Sequence, residues 1–139
     1  MNWRLLTRTG LVGVLLAGLL VSLDGGPVSA FAGGTGTAGD PYQISTCAEL
    51  LTIDDATANL SKSYVLNGDI DCTAVSVTPM INGTTYFSGT LDGAGHEIQN
   101  VSITCATVVC GLFKYVQGST VRNITLRSFT VSGVGTVGT

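Results

Sequence analysis

A short run that returns at a fixed displacement constrains this chain more than any other feature: Ile98-Gln99-Asn100-Val101-Ser102-Ile103 reappears as Val121-Arg122-Asn123-Ile124-Thr125-Leu126, 23 positions later. A period in that range belongs to architectures that stack one structural unit on the next. The phase of the apolar residues adds geometry. Ile98 has one parity while Val101 and Ile103 have the other, so the alternation slips at Asn100. A strand that keeps the same side inward through a corner must slip in this way, and Asn tolerates the left-handed backbone a corner requires. Asn123 occupies the same place in the second copy. Stacked copies would set Asn100 and Asn123 about 4.8 Å apart as a structural amide ladder. Successive copies would pair as parallel strands with a right-handed connection.

The remaining β-rich runs, Tyr64-Val65-Leu66 and Glu97-Ile98-Gln99, are short and punctuated by Gly and Asn turns. The fold class expected is therefore all-β: a right-handed parallel β-helix, or β-solenoid. One helix is expected ahead of it. Thr46-x-x-Glu49 matches a capping box and leads into Leu50, Leu51 and Ile53, predicting a helix over 46–56 that covers the first sheet edge. Residues 33–45 form a Gly-rich lead-in without an apolar period. Residues 46–139 hold the cap helix and the first coils, and the chain stops where another coil should begin, so a truncated solenoid with an open C-terminal edge prone to self-association is expected.

Residues 1–32 read as an export signal. Arg4 and Arg8 precede the apolar run 11–21, and Pro27 follows it. Small residues for cleavage stand at Val28-Ser29-Ala30 or at Ala30-Phe31-Ala32. The apolar run is shorter than the ~20 residues that span a bilayer, so no membrane span is expected after cleavage. The exported part carries four basic side chains against eight carboxylates, a net charge of −4. Nucleic acid and anionic lipid reward clustered Lys and Arg, and this scattered, acidic balance excludes nucleic-acid binding. Cys47, Cys72, Cys105 and Cys110 in an exported chain predict two disulfides. Three pairings exist; Cys47 with Cys72 and Cys105 with Cys110 is favoured because each pair brackets one local unit. A zinc site would need closer CxxC or CxxH pairs than the sequence offers.

Four blocks in order carry a family resemblance: Gly39-Asp40-Pro41-Tyr42-Gln43-Ile44-Ser45-Thr46; Tyr64-Val65-Leu66 with Asp69-Ile70-Asp71-Cys72; Phe87-Ser88-Gly89-Thr90-Leu91-Asp92-Gly93-Ala94-Gly95-His96; and Gly111-Leu112-Phe113 leading into Val121-Arg122-Asn123-Ile124. Together they resemble bacterial surface proteins with GLUG-motif repeats and the adhesin-like right-handed β-helices related to them. Lys114 stands where that motif places a second glycine. The resemblance implies a stalk, adhesin or repeat region at the cell surface or secreted, and no catalytic residues.

Asp92-Gly93-Ala94-Gly95-His96-Glu97 is the most polar turn in the chain. Asp92, His96 and Glu97 are the candidate surface-loop binding residues, for a surface glycan or a protein ligand. An enzyme would use such groups as acid, base or metal ligands. Asp-Gly-x-Gly also suits a tight β-turn in which glycines take positive φ and Asp bonds its own backbone, and that reading is preferred. Asp69-x-Asp71 offers two carboxylates on one side of a strand, too few for the six or more oxygens calcium takes. Glycosylation sequons begin at Asn59, Asn82, Asn100 and Asn123, with glycans expected at neither corner Asn. Tyr86 and Tyr115 could form a carbohydrate platform if they face outward.

The expectation is an exported structural or adhesive β-solenoid surface protein, non-catalytic and without cofactor. The alternative is the N-terminal part of a polysaccharide-active β-helix enzyme, a lyase or glycosidase, whose catalytic coils lie beyond the C-terminus.

Overall fold

The structure is a computed structural model, which describes residues 30–80, 85–106 and 109–133. Residues 1–29 of the proposed leader 1–32 and the tail from residue 134 lie outside the described residues, whereas residues 30–32 are described and Phe31 is buried.

Nine short strands assemble into three sheets, and every pairing between them is parallel. The strands are β1 (Tyr42–Ile44), β2 (Ser63–Leu66), β3 (Ile70–Asp71), β4 (Thr90–Asp92), β5 (Glu97–Gln99), β6 (Ser102–Cys105), β7 (Thr120–Arg122), β8 (Thr125–Arg127) and β9 (Thr130–Gly133). One sheet runs β1-β2-β4-β7, a second β3-β5-β8 and a third β6-β9. The chain thus visits the sheets in a repeating order, β4-β5-β6 and then β7-β8-β9. The round before them passes through β2 and β3 to Val77, which bridges in parallel to Ile103.

Corners make this order possible. Asn100 separates β5 from β6 with φ 58°, and Asn123 separates β7 from β8 with φ 55°, the left-handed backbone expected of both. Ser128 (φ 51°) turns β8 into β9 at the corner equivalent to Asn100. The apolar phase slips across Asn100 as read from the sequence, for Ile98, Val101 and Ile103 are all buried.

The register corrects the ladder. Ile98 pairs with Leu126, Gln99 with Arg127 and Leu91 with Val121, so Asn100 and Asn123 belong to different corners and do not stack. The Asn100 amide instead donates to Asp71 at 3.0 Å, and that of Asn123 to Asp92 at 3.0 Å. The spacing in the second sheet is 28 residues, from Ile70 to Ile98 and from Ile98 to Leu126, not 23. The two similar sequences look alike because any apolar, Asn, apolar corner of this chain needs the same chemistry. The turn between β4 and β5 is two residues longer than that between β7 and β8.

The cap forms as its box predicts but is shorter. Helix α1 (Cys47–Leu51) has Thr46 Oγ1 accepting from the Glu49 N–H, while Glu49 Oε2 accepts from the N–H groups of Ser45 and Thr46 at 2.7 and 3.0 Å. Beyond Leu51 the chain tightens into 3₁₀ turns over Thr52–Asp54 and Thr57–Ser61. The Thr52 hydroxyl donates back to the Glu49 carbonyl, and the Asn59 amide donates to the Thr52 carbonyl. Such side-chain bonds to backbone compete with continued helix.

The lead-in is folded rather than linker-like. Gly33 bridges to Gln43 in antiparallel sense, and Phe31 is buried against Tyr42 and Tyr64. Phe31, Tyr42, Tyr64, Phe87 and Phe113 form a column of rings through the rounds, with successive centroids 4.6, 5.7, 6.4 and 4.6 Å apart. Dispersed in sequence, these aromatics meet inside the stack, although only Tyr42 and Tyr64 are register partners. The disulfides are Cys47–Cys72, which ties α1 to the end of β3, and Cys105–Cys110, which closes the end of β6.

Candidate functional site

The turn Asp92–Glu97 lies on the outer surface, and its conformation is set locally. Asp92 Oδ1 accepts from the Ala94 N–H at 2.9 Å, so Asp bonds its own backbone as the sequence suggests. Left-handed φ falls on Ala94 and Gly95. Gly93 is required for a different reason: a Cβ there would stand 2.2 Å from the Asn123 carbonyl oxygen of the next round.

Each of the three candidate side chains is tied to a neighbouring round. Asp92 Oδ2 accepts from Arg122 Nε at 2.8 Å and also pairs with its Nη2, while Oδ1 takes the Asn123 amide. His96 Nδ1 lies 3.2 Å from Asp69 Oδ1, and the Glu97 N–H donates to that same oxygen at 3.1 Å. Glu97 Oε2 pairs with Arg127 Nη2 at 3.1 Å. The turn therefore gathers Asp92, His96 and Glu97 in sequence but sends them to three separate partners. Four inter-round ties result: Asp69 with His96, Asp71 with Asn100, Asp92 with Arg122 and Asn123, and Glu97 with Arg127.

Local bonds and these ties together hold three carboxyls below the usual carboxylate range. For Asp69 the largest cause is the Glu97 backbone N–H, followed by the His96 side chain. For Asp71 it is the Thr73 hydroxyl and then the Asn100 amide. For Asp92 it is the Ala94 N–H, then Asn123 and Arg122. Hydrogen bonds to the charged form favour it, which is the opposite of what a proton donor needs at neutral pH. Asp69 and Asp71 do not face a shared ion: one bonds to the β5 turn and the other to Thr73 and Asn100. Among the described residues no group of three or more His, Cys, Asp or Glu could hold a metal ion.

The sequence reading missed a groove of about 250 Å³ on the outer face of the first sheet. Its floor is two columns in register, Ser63-Thr90-Thr120 and Val65-Asp92-Arg122, and Ala38 and Pro41 of the lead-in stand at one side. Alternation along β2, β4 and β7 puts these side chains outward while Tyr64 and Leu91 point in. The signal was present in the repeated Thr-x-Asp and Thr-x-Arg triplets, but it becomes visible only with the correct 30-residue register from Leu91 to Val121. Asp92 and Arg122 are paired across the floor, so the groove offers hydroxyls beside a neutralised ion pair. Within the described residues no helix is long and apolar enough to cross a membrane.

No family model matches the chain, and no solved structure matches it. It is similar to halomucin of Haloquadratum walsbyi, with 33% identity over 128 residues that cover 84% of this chain. The chain spans about 1% of the length of that curated relative.

Proposed function

We propose that the chain belongs to an exported, non-catalytic surface protein, built as a right-handed parallel β-helix that serves a structural or adhesive role. The observation that carries this reading is the repeating order β4-β5-β6, β7-β8-β9 with parallel pairing at every step. Parallel crossovers within a sheet are right-handed in nearly all proteins. Membership of the GLUG-motif, adhesin-like group is part of the same proposal. A secreted or cell-surface location agrees with the leader-like residues 1–32, with the two disulfides, and with the similarity to halomucin. The non-catalytic reading is supported by the fate of the turn: Asp92, His96 and Glu97 are each engaged in holding one round to another.

The last described round supports the proposal of self-association. Val116, Val121 and Leu126 are 49–55% exposed, although their register partners Phe87, Leu91 and Ile98 are fully buried. An unpaired parallel edge over an apolar end is a template for another layer. The isolated chain would therefore associate through this end, and size-exclusion chromatography should show species larger than a monomer that dissociate on dilution.

Circular dichroism of the processed, oxidised chain should be β-dominated, and uronan and pectin-like polymers should survive incubation with it. A mainly helical spectrum would overturn the fold. Turnover of those polymers would instead support the polysaccharide-active alternative.

A further inference from the structure

Tyr86 keeps 49% of its surface exposed although Tyr115 packs against it, ring centroids 5.9 Å apart and planes at 68°. Lys114 Nζ lies 5.6 Å from the Tyr115 ring centroid on the same side of the molecule. The Tyr86 ring is therefore held in orientation by a neighbour while remaining open to solvent.

The ring borders a groove of about 360 Å³, separate from the one over Asp92 and Arg122. Ser61, Ser88 and Gln117 line it as a column through three successive rounds. The Ser88 N–H donates to the Leu60 carbonyl, and the Gln117 N–H donates to the Phe87 carbonyl. Neighbouring strands lie about 4.8 Å apart, so this column repeats polar groups at that interval. Thr57 and Thr85 complete the polar rim, and no Asp, Glu, Lys or Arg lines the groove. Among the described residues the side chains of Thr57, Ser61, Thr85 and Gln117 make no hydrogen bond, so their donors and acceptors are available to a ligand.

We infer that this groove binds a neutral saccharide, with one sugar face stacked on Tyr86 and ring hydroxyls bonded along Ser61, Ser88 and Gln117. A sugar ring presents an apolar C–H face and an equatorial rim of hydroxyls. That combination matches an aromatic plate beside uncharged donors and acceptors. Polar rims with a few convergent groups are what fix ligand orientation in such sites, and the volume lies near the lower bound of about 300 Å³ for them. The lack of charge in the lining distinguishes the ligand from uronates, whose carboxylates call for a cationic partner. The inference rests on this groove alone and goes beyond the structural role proposed above.

Native affinity electrophoresis of the processed, oxidised chain tests it, with gels containing dextran, xylan, glucomannan or mixed-linkage β-glucan, and separate gels containing alginate or polygalacturonate. At least one neutral polymer should retard the protein. Tyr86→Ala should weaken that retardation about three- to tenfold, the range an aromatic contact contributes. Gln117→Ala should weaken it as well while leaving the tyrosine pair intact, and Tyr86→Phe should keep it. If Tyr86→Ala loses its thermal transition, Gln117→Ala decides alone. Absence of retardation by every neutral polymer, retardation by the anionic polymers only, or unchanged retardation in Gln117→Ala overturns the inference. Any of these leaves the scaffold reading standing, because that reading is judged by circular dichroism and polymer turnover.

Discussion

The round built on β4, β5 and β6 and the round built on β7, β8 and β9 have the same strand chemistry and opposite burial. Leu91, Ile98 and Ile103 are fully buried, whereas their register partners Val121 and Leu126 are half exposed and Val131 is only partly covered. Both rounds carry left-handed corners, inward apolar residues and charged ties to a neighbour. What differs is that, among the described residues, the middle round has a layer on each side and the last has one. In a stack of this kind an apolar residue is not a core residue by its own pattern; the next layer makes it one.

Core truncation gives the largest contrast. Leu91→Ala should cost about 2–5 kcal/mol, the usual range for a fully buried leucine, whereas Leu126→Ala, half exposed, should cost about 1 kcal/mol or less. Urea denaturation of the two variants measures the difference, and equal losses would mean that the last round is covered in solution. Val101→Asp extends the test, since Val101 is buried beside the Asn100 corner and an unpaired charge there should cost several kcal/mol.

The disulfides come next. In the chain-entropy treatment the Cys47–Cys72 bridge, closing a separation of 25 residues, contributes roughly 3 kcal/mol and the Cys105–Cys110 bridge, closing 5, about 2 kcal/mol. Paired Cys→Ser variants should rank in that order of thermal stability. The reverse order would place more of the stabilising constraint at the end of β6 than in the cap.

Much of the fold was legible before any coordinates. The helix start at Thr46, the strand Glu97–Gln99, the left-handed corners and the locality of the disulfides all follow from bonds between residues a few positions apart. The register was not legible in the same way, because it depends on how long each connecting turn is. The resemblance between 98–103 and 121–126 therefore aligned two different corners and created a ladder that does not exist. The site suffered from the same cause. Asp92, His96 and Glu97 were correctly placed on an outward turn, but their partners Arg122, Asp69 and Arg127 lie 27 to 30 residues away. Only the register identifies them.

Acid should act on the ties between rounds. Asp69, Asp71 and Asp92 have folded pKa values below the ordinary one. Their contribution is therefore fully present above the unfolded carboxylate value, about 3.9, and is lost as pH falls through the lower folded values. The thermal midpoint should stay level from pH 8 to about pH 5 with respect to these groups and decline below about pH 4. Asp92→Asn should reduce that decline. An unchanged acid limb in this variant would show that the bonds of the Asp92 carboxylate, to the Ala94 N–H first and then to Asn123 and Arg122, add nothing to stability.

The smallest effect concerns the first round. Phe31 is 6% exposed and stacks on Tyr42 at 4.6 Å. Cleavage after Ala30 retains it, whereas cleavage after Ala32 removes the top of the aromatic column. The intact mass of the exported chain should correspond to a terminus at Phe31. A terminus at Gly33 would show that the first round holds without that ring.

Native-state hydrogen exchange on the processed chain, at a concentration low enough to keep it monomeric, tests the central claim most directly. Amides of β4 and β5 should be protected close to the global unfolding limit, while those of β7, β8 and β9 should exchange at least tenfold faster, about 1.4 kcal/mol below that limit. Uniform protection from β2 through β9 would contradict a stack whose last layer lies uncovered.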